Sequence, residues 1–98
     1  MEVIFTDDDL DRLERDPAFT AGLAPPIVRA FRLRMQTIRA APDTRDFYAL
    51  KSLRYEKLKG KRSHQRSMRL NDQWRLILEY DKREGVNQIR VIGIEDYH

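Results

Sequence analysis

Apolar residues along this chain keep a helical period in the first half and a strand period in the second. Ile27, Val28, Phe31, Met35 and Ile38 recur at intervals of one, three, four and three, which gathers them on one face of a helix. The pattern predicts a helix over 26–41, opened by Pro25-Pro26 and closed by Pro42 and Asp43; proline is harmless in a first turn because its N–H would be unpaired there anyway. A shorter helix is predicted near 7–15, with Leu10 and Leu13 turned inward and Thr6 as N-cap before three aspartates. Glu2–Phe5 reads as a short first strand. From Arg66 the period becomes two: Met68 and Leu70 alternate with Ser67 and Arg69, then Trp74, Leu76, Leu78 and Tyr80 with Arg75, Ile77 and Glu79. Asn71-Asp72 is a turn signal between these strands, and the polar run Asp81–Gly85 precedes a third strand from Val86 to Glu95. The segment from Pro42 to about residue 57 holds Phe47, Tyr48, Leu50, Leu53 and Tyr55 without a clean period and predicts a packed connector with a helical turn.

The expected architecture is α+β: two N-terminal helices packed on one face of an antiparallel sheet of about four strands. With 98 residues the chain supports one hydrophobic core, so a single domain over 1–98 is expected. Arg29, Arg32 and Arg39 fall off the apolar stripe of the second helix and are expected in solvent. Trp74 shares its strand face with Leu76 and Leu78 and is expected in the core, which sends Arg75 to the opposite face of the sheet.

Composition removes several function classes. The chain has no cysteine, which excludes disulfides, thiolate metal sites and a cysteine nucleophile together. With two histidines and no thiols, no metal is expected. No stretch approaches the roughly 18 apolar residues of a membrane span, and the start lacks the basic region of a secretory signal, so a cytoplasmic protein without a membrane partner is expected.

Net charge is only +3, and its distribution says more than its sum. Residues 1–16 carry seven acids against two bases, whereas residues 51–75 carry nine bases against Glu56 and Asp72. Part of the acidic cluster is explained by a helix start. The basic stretch suggests a patch facing a polyanion, with phosphate contacts the obvious use, or else a solvated loop. Arg75 beside the loop bearing Lys57, Lys59, Lys61 and Arg62 is suited to hold a phosphate bidentately; the competing use is a cross-strand ion pair with Glu79 or Glu95. The chain ends in Glu95-Asp96-Tyr97-His98, where His98 has the side chain best suited to general acid or base work. His64 reads as solvent-exposed.

Leu58-Lys59-Gly60, the run Ser67-Met68-Arg69-Leu70-Asn71-Asp72-Gln73-Trp74-Arg75-Leu76 and the terminal Glu95-Asp96-Tyr97-His98 closely resemble the HigB toxins of bacterial toxin-antitoxin pairs, in the RelE/ParE superfamily. The motif part spans residues 56–98. The resemblance implies a small RelE-like domain that acts without a cofactor as an mRNA interferase, cutting message on the translating ribosome at the 30S A site. It also implies a HigA-like antitoxin with a helix-turn-helix domain, through which alone operator DNA is reached. Carried over by motif position, Asp96, Tyr97 and His98 are the catalytic candidates, with Arg75 and Lys59 as the electrostatic group. Lys57, Lys61, Arg62, Arg66 and Arg69 are the accompanying RNA-binding candidates in the basic stretch.

One position departs from the family pattern. Some members have a histidine two residues before Leu-Lys-Gly; here Glu56 stands there, which leaves open whether a carboxylate or His98 takes the first proton. Two other functions stay open with it: a non-catalytic, ParE-like inhibitor of DNA gyrase, and an inactive module that binds RNA or antitoxin.

Overall fold

The computed structural model describes residues 1–97. Its centre is a long hairpin of β4 (Trp74–Arg83) and β5 (Val86–Asp96), paired from Trp74↔Asp96 to Arg83↔Val86. Glu84 and Gly85 close it, both at positive φ (51° and 82°), the geometry whose twist matches that of the strands it joins. The turn is therefore two residues, not the five polar ones expected, because Asp81, Lys82 and Arg83 still pair with β5.

β3 (Arg66–Arg69) lies antiparallel to β4, and β2 (Glu56–Lys57) adds a two-residue edge through Glu56↔Ser67 and Lys57↔Arg66. β1 (Glu2–Phe5) closes the other edge, parallel to β5, giving the order β1-β5-β4-β3-β2. The sheet thus has five strands and one parallel pair. β2 is too short to show a period, and β1 pairs with the last strand of the chain, a partnership that no short stretch of sequence contains.

Helix α1 is Asp8–Arg15 and α2 is Pro25–Ala40; a short third helix, α3 (Arg45–Ala49), and the helical turn Lys51–Leu53 form the connector. The cap of α1 is Asp7, whose carboxylate accepts from the N–H of Asp9 at 2.7 Å, rather than Thr6. Thr6 is held at the sheet, its backbone N–H and hydroxyl both donating to the carbonyl of Val91.

Leu10, Leu13, Ile27, Val28, Phe31, Met35, Ile38 and Phe47 are buried against Met68, Leu76, Leu78, Ile89 and Val91, with Trp74 and Ile94 partly buried at the margin. This is the face expected from the alternation. Two of the arginines off the apolar stripe fasten the helices, Arg32 from a half-buried position and Arg39 from the exposed surface where it was expected. Arg32 donates to the carbonyls of Leu13, Asp16 and Phe19 (2.9–3.0 Å), where a cation satisfies acceptors left open at a helix end. Arg39 forms a bidentate pair with Glu14 at 2.6 and 2.7 Å. Burying the α1/α2 contact brings these groups within reach of one another.

Asp43 starts α3: its carboxylate accepts from the backbone and guanidinium of Arg45, which hold its pKa down at about 2 from the ordinary 3.8. A carboxyl depressed on folding adds stability above its unfolded pKa and loses it as pH falls through the folded one. Thermal melts should therefore separate wild type from Asp43→Asn at neutral pH, with wild type higher, and the gap should close between pH 3.8 and about 2. A gap independent of pH would show that the hydrogen bond from the Arg45 N–H, not the charge, carries the effect.

No helix among the described residues is long and apolar enough to cross a membrane.

Candidate active site

On the sheet face turned away from the helices, register brings together Glu56, Ser67 and Ile77 in one row and Arg69, Arg75 and Glu95 in the next. Strand alternation sends these side chains to the side opposite Met68 and Leu76. Between Ile77↔Gly93 and Leu78↔Val91 the β5 strand carries one extra residue, Ile92, and such a bulge re-aims the strand beyond it. A Cβ placed on Gly93 would meet no atom within 4 Å, although Ile77 opposite it, like Ser67, is buried.

Arg75 is the centre of this surface. It is only 8% exposed, its guanidinium carbon lies 4.5 Å from the centroid of the Tyr97 ring, and its Nη1 is buried without a hydrogen-bond partner among the described residues. The carboxylates expected to compete for it are engaged elsewhere. Glu95 is held bidentately by Arg62 at 2.7 and 2.9 Å, a contact that pushes the Arg62 pKa up. Glu79 accepts from Arg90 at 2.9 Å and faces His64 at 3.7 Å. A buried guanidinium N–H left unpaired costs free energy that a bound anion would recover.

The loop between β3 and β4 sets Tyr97 over Arg75. Asn71 Oδ1 accepts from the backbone N–H groups of Gln73 and Trp74 at 2.9 and 2.8 Å, the local bond that makes Asn a turn residue. Gln73, so fixed, accepts from the N–H of Tyr97 through its carbonyl at 2.6 Å and donates from its side chain to Asp96 at 2.9 Å. Two backbone-ordered contacts thus clip the C-terminal segment across the end of β4. Sequence reasoning gave Asn71 a turn and left Gln73 without a role; the adjacency Asn-Asp-Gln-Trp-Arg was the available signal.

The other expected residues divide. Glu56 is exposed on the same face as Arg75, at the β2 edge. Lys59 and Lys61 are exposed on the loop that follows β2 and make no ion pair among the described residues; Gly60 between them sits at φ +66°. Arg62 is committed to Glu95, and Arg69 to Asp72. Lys57 and Arg66 are register partners on the opposite side of β2 and β3, and Arg66 donates to the carbonyls of Ser63 and Gln65. His98 lies outside the described residues. Ser67, buried between Glu56 and Ile77 with its hydroxyl unpartnered among the described residues, was not expected. Its alternation with Met68 allowed for a solvent-facing position but not for burial. Among the described residues no group of His, Cys, Asp or Glu is placed to hold a metal ion.

Fold and site together define a small α+β domain whose outer sheet face holds a buried arginine ringed by further cations. The family model described as the RelE-like toxin of the type II toxin-antitoxin system HigB matches residues 3–98. The chain belongs to this family of HigB-like toxins, whose type II systems pair each toxin with an antitoxin. Among solved structures it is similar to a YoeB/ParE toxin from Agrobacterium tumefaciens, at 17% identity and TM-score 0.63, with all of both chains covered. A search of curated proteins finds no match.

Proposed function

We propose that this toxin is an endoribonuclease that cuts mRNA, with Arg75 as the cation that meets the scissile phosphate. The observation that carries this reading is the Nη1 of Arg75, buried under Tyr97 with no partner among the described residues. A base takes the proton of a 2′-hydroxyl, the 2′-oxygen attacks phosphorus, and the P–O5′ bond breaks as an acid returns a proton to the 5′-oxygen. The product is a 2′,3′-cyclic phosphate, and no metal enters. Arg75, with Lys59 reaching from its loop, offsets the negative charge gained at phosphorus. Tyr97 holds the guanidinium flat by cation–π contact. Asp96, His98 and Glu56 are the proton-handling candidates, with Asp96 orienting His98 and either His98 or Glu56 taking the first proton. Arg62 and Arg69, already ion-paired on this face, and Lys61 give the RNA backbone its wider electrostatic track, whereas Lys57 and Arg66, on the other side of β2 and β3, lie off it. A HigA-like helix-turn-helix antitoxin is the proposed partner, operator DNA being reached through it. The translating ribosome, at its 30S A site, is the proposed place of action in the cytoplasm, for a single toxin domain.

Purified protein added to translating ribosomes and a defined message should leave new 3′-ends. Glu56→Ala and His98→Ala, assayed in parallel, should each lower cleavage at least about tenfold, within the range of a lost general acid or base. The residue whose loss costs more is the better candidate for the first proton transfer. Message left intact by wild type, under conditions where a related toxin cuts, would overturn the proposal.

A further inference from the structure

Beside β2, at the edge of the same sheet, lies an open cavity of about 310 Å³ that the chemistry above does not use. Its walls come from the α3 connector, and three features mark it. The first is an exposed aromatic: Phe47 is fully buried, so Tyr48, the next residue around α3, points outward and is 58% exposed. The ring is nonetheless held in place, edge-on to Tyr55 at 5.0 Å and 80°. The second is an apolar wall supplied by Leu50, 48% exposed. The third is a pair of cations at the rim, Lys51 and Arg54, neither ion-paired among the described residues. Arg54 takes a left-handed conformation (φ 46°, ψ 52°) at the end of the Lys51–Leu53 turn, where glycine would be the relaxed choice; an arginine there keeps a charge at the cavity mouth.

Glu56 belongs both to this cavity and to the face that carries Arg75. From strand spacing and rise, the Cα atoms of Glu56 and Arg75 are about 12 Å apart, so one extended chain can reach from one to the other. We propose that the cavity is a subsite for an unstacked nucleobase of single-stranded RNA, flanking the phosphate over Arg75; this rests on the ribonuclease reading. The base stacks on Tyr48 and packs against Leu50 while its backbone meets Lys51 and Arg54. Aromatic faces beside cations are the general means of holding single strands. The positive rim and its continuity with the candidate site favour RNA over a protein segment as occupant.

The test uses the full chain and a short single-stranded oligoribonucleotide that is 2′-O-methylated, so that it lacks the attacking hydroxyl. Tyr48→Ala should weaken binding about tenfold, the scale of one lost base stack, while Tyr48→Phe binds as wild type. An oligonucleotide carrying an abasic position that enters the cavity should lose affinity for wild type but little more for Tyr48→Ala. Thermal melts establish that each variant is folded. If Tyr48→Ala binds RNA as wild type while Arg75→Ala binds weakly, the subsite is overturned and the ribonuclease reading stands. No binding by any form, with cleavage on ribosomes intact, also overturns the subsite. No binding and no cleavage overturns both. Loss of antitoxin binding by Tyr48→Ala at unchanged RNA affinity assigns the cavity to the protein partner instead, which overturns it as well.

Discussion

Arg75→Met is expected to lower RNA cleavage about a hundredfold, the usual cost of removing one preorganised charge-stabilising donor, and at the same time to raise the melting temperature by about 5 °C. Both effects have one origin. Nη1 of Arg75 is buried and unpaired among the described residues, and the nearby carboxylates Glu95 and Glu79 are bound by Arg62 and Arg90. An unsatisfied buried donor costs roughly 1–3 kcal/mol. The contact with Tyr97 returns part of that, of the order of 0.5–1 kcal/mol, so about 1 kcal/mol remains to be gained. Methionine fills the same elongated space without a polar atom. A site that holds an anion is kept at a cost in stability when empty. Melting curves and single-turnover cleavage on the same preparations check both halves. A variant that melts lower and still cuts RNA would make Arg75 a structural residue and leave the chemistry without its cation.

Removal of residues 96–98 is expected to reduce cleavage about a thousandfold, within the range for loss of general acid–base groups. The deletion takes away Asp96, His98 and the ring over Arg75, together with both contacts to Gln73. The core loses nothing, since Asp96 and Tyr97 are exposed. Gln73→Ala makes the milder comparison. It removes the side-chain bond to Asp96 but keeps the carbonyl that binds Tyr97 N–H, so a loss of about tenfold is expected. Growth arrest on expression separates the functions. A truncated chain that still arrests growth, with DNA supercoiling blocked and no new RNA ends, would place this toxin with the gyrase inhibitors.

Arg32 and Gln73 show why part of the molecule was not legible in the sequence. Arg32 lies off the apolar stripe of its helix, and periodicity can assign such a residue only to solvent. The carbonyls it binds belong to Leu13, Asp16 and Phe19, which reach it only after α1 packs on α2. Gln73 has no distinctive chemistry; its use follows from β5 ending beside the loop that precedes β4. β2 escaped for a related reason, because two residues carry no period and are strand only through pairing with Arg66 and Ser67.

By itself the sequence determined what depends on local spacing: the helix near 26–41, the strands on either side of Asn71-Asp72, and the opposite facing of Trp74 and Arg75. It also held the motif residues that identify a HigB-like toxin. These are consequences of periods of 3.6 and two residues, which any short window contains. Tertiary structure alone decided that the Arg75 guanidinium is buried, that Glu95 goes to Arg62 rather than to Arg75, and that Tyr97 closes over it. Which of several nearby carboxylates takes a given cation is a matter of ångströms between strands distant in sequence. That geometry exists only once the sheet is assembled.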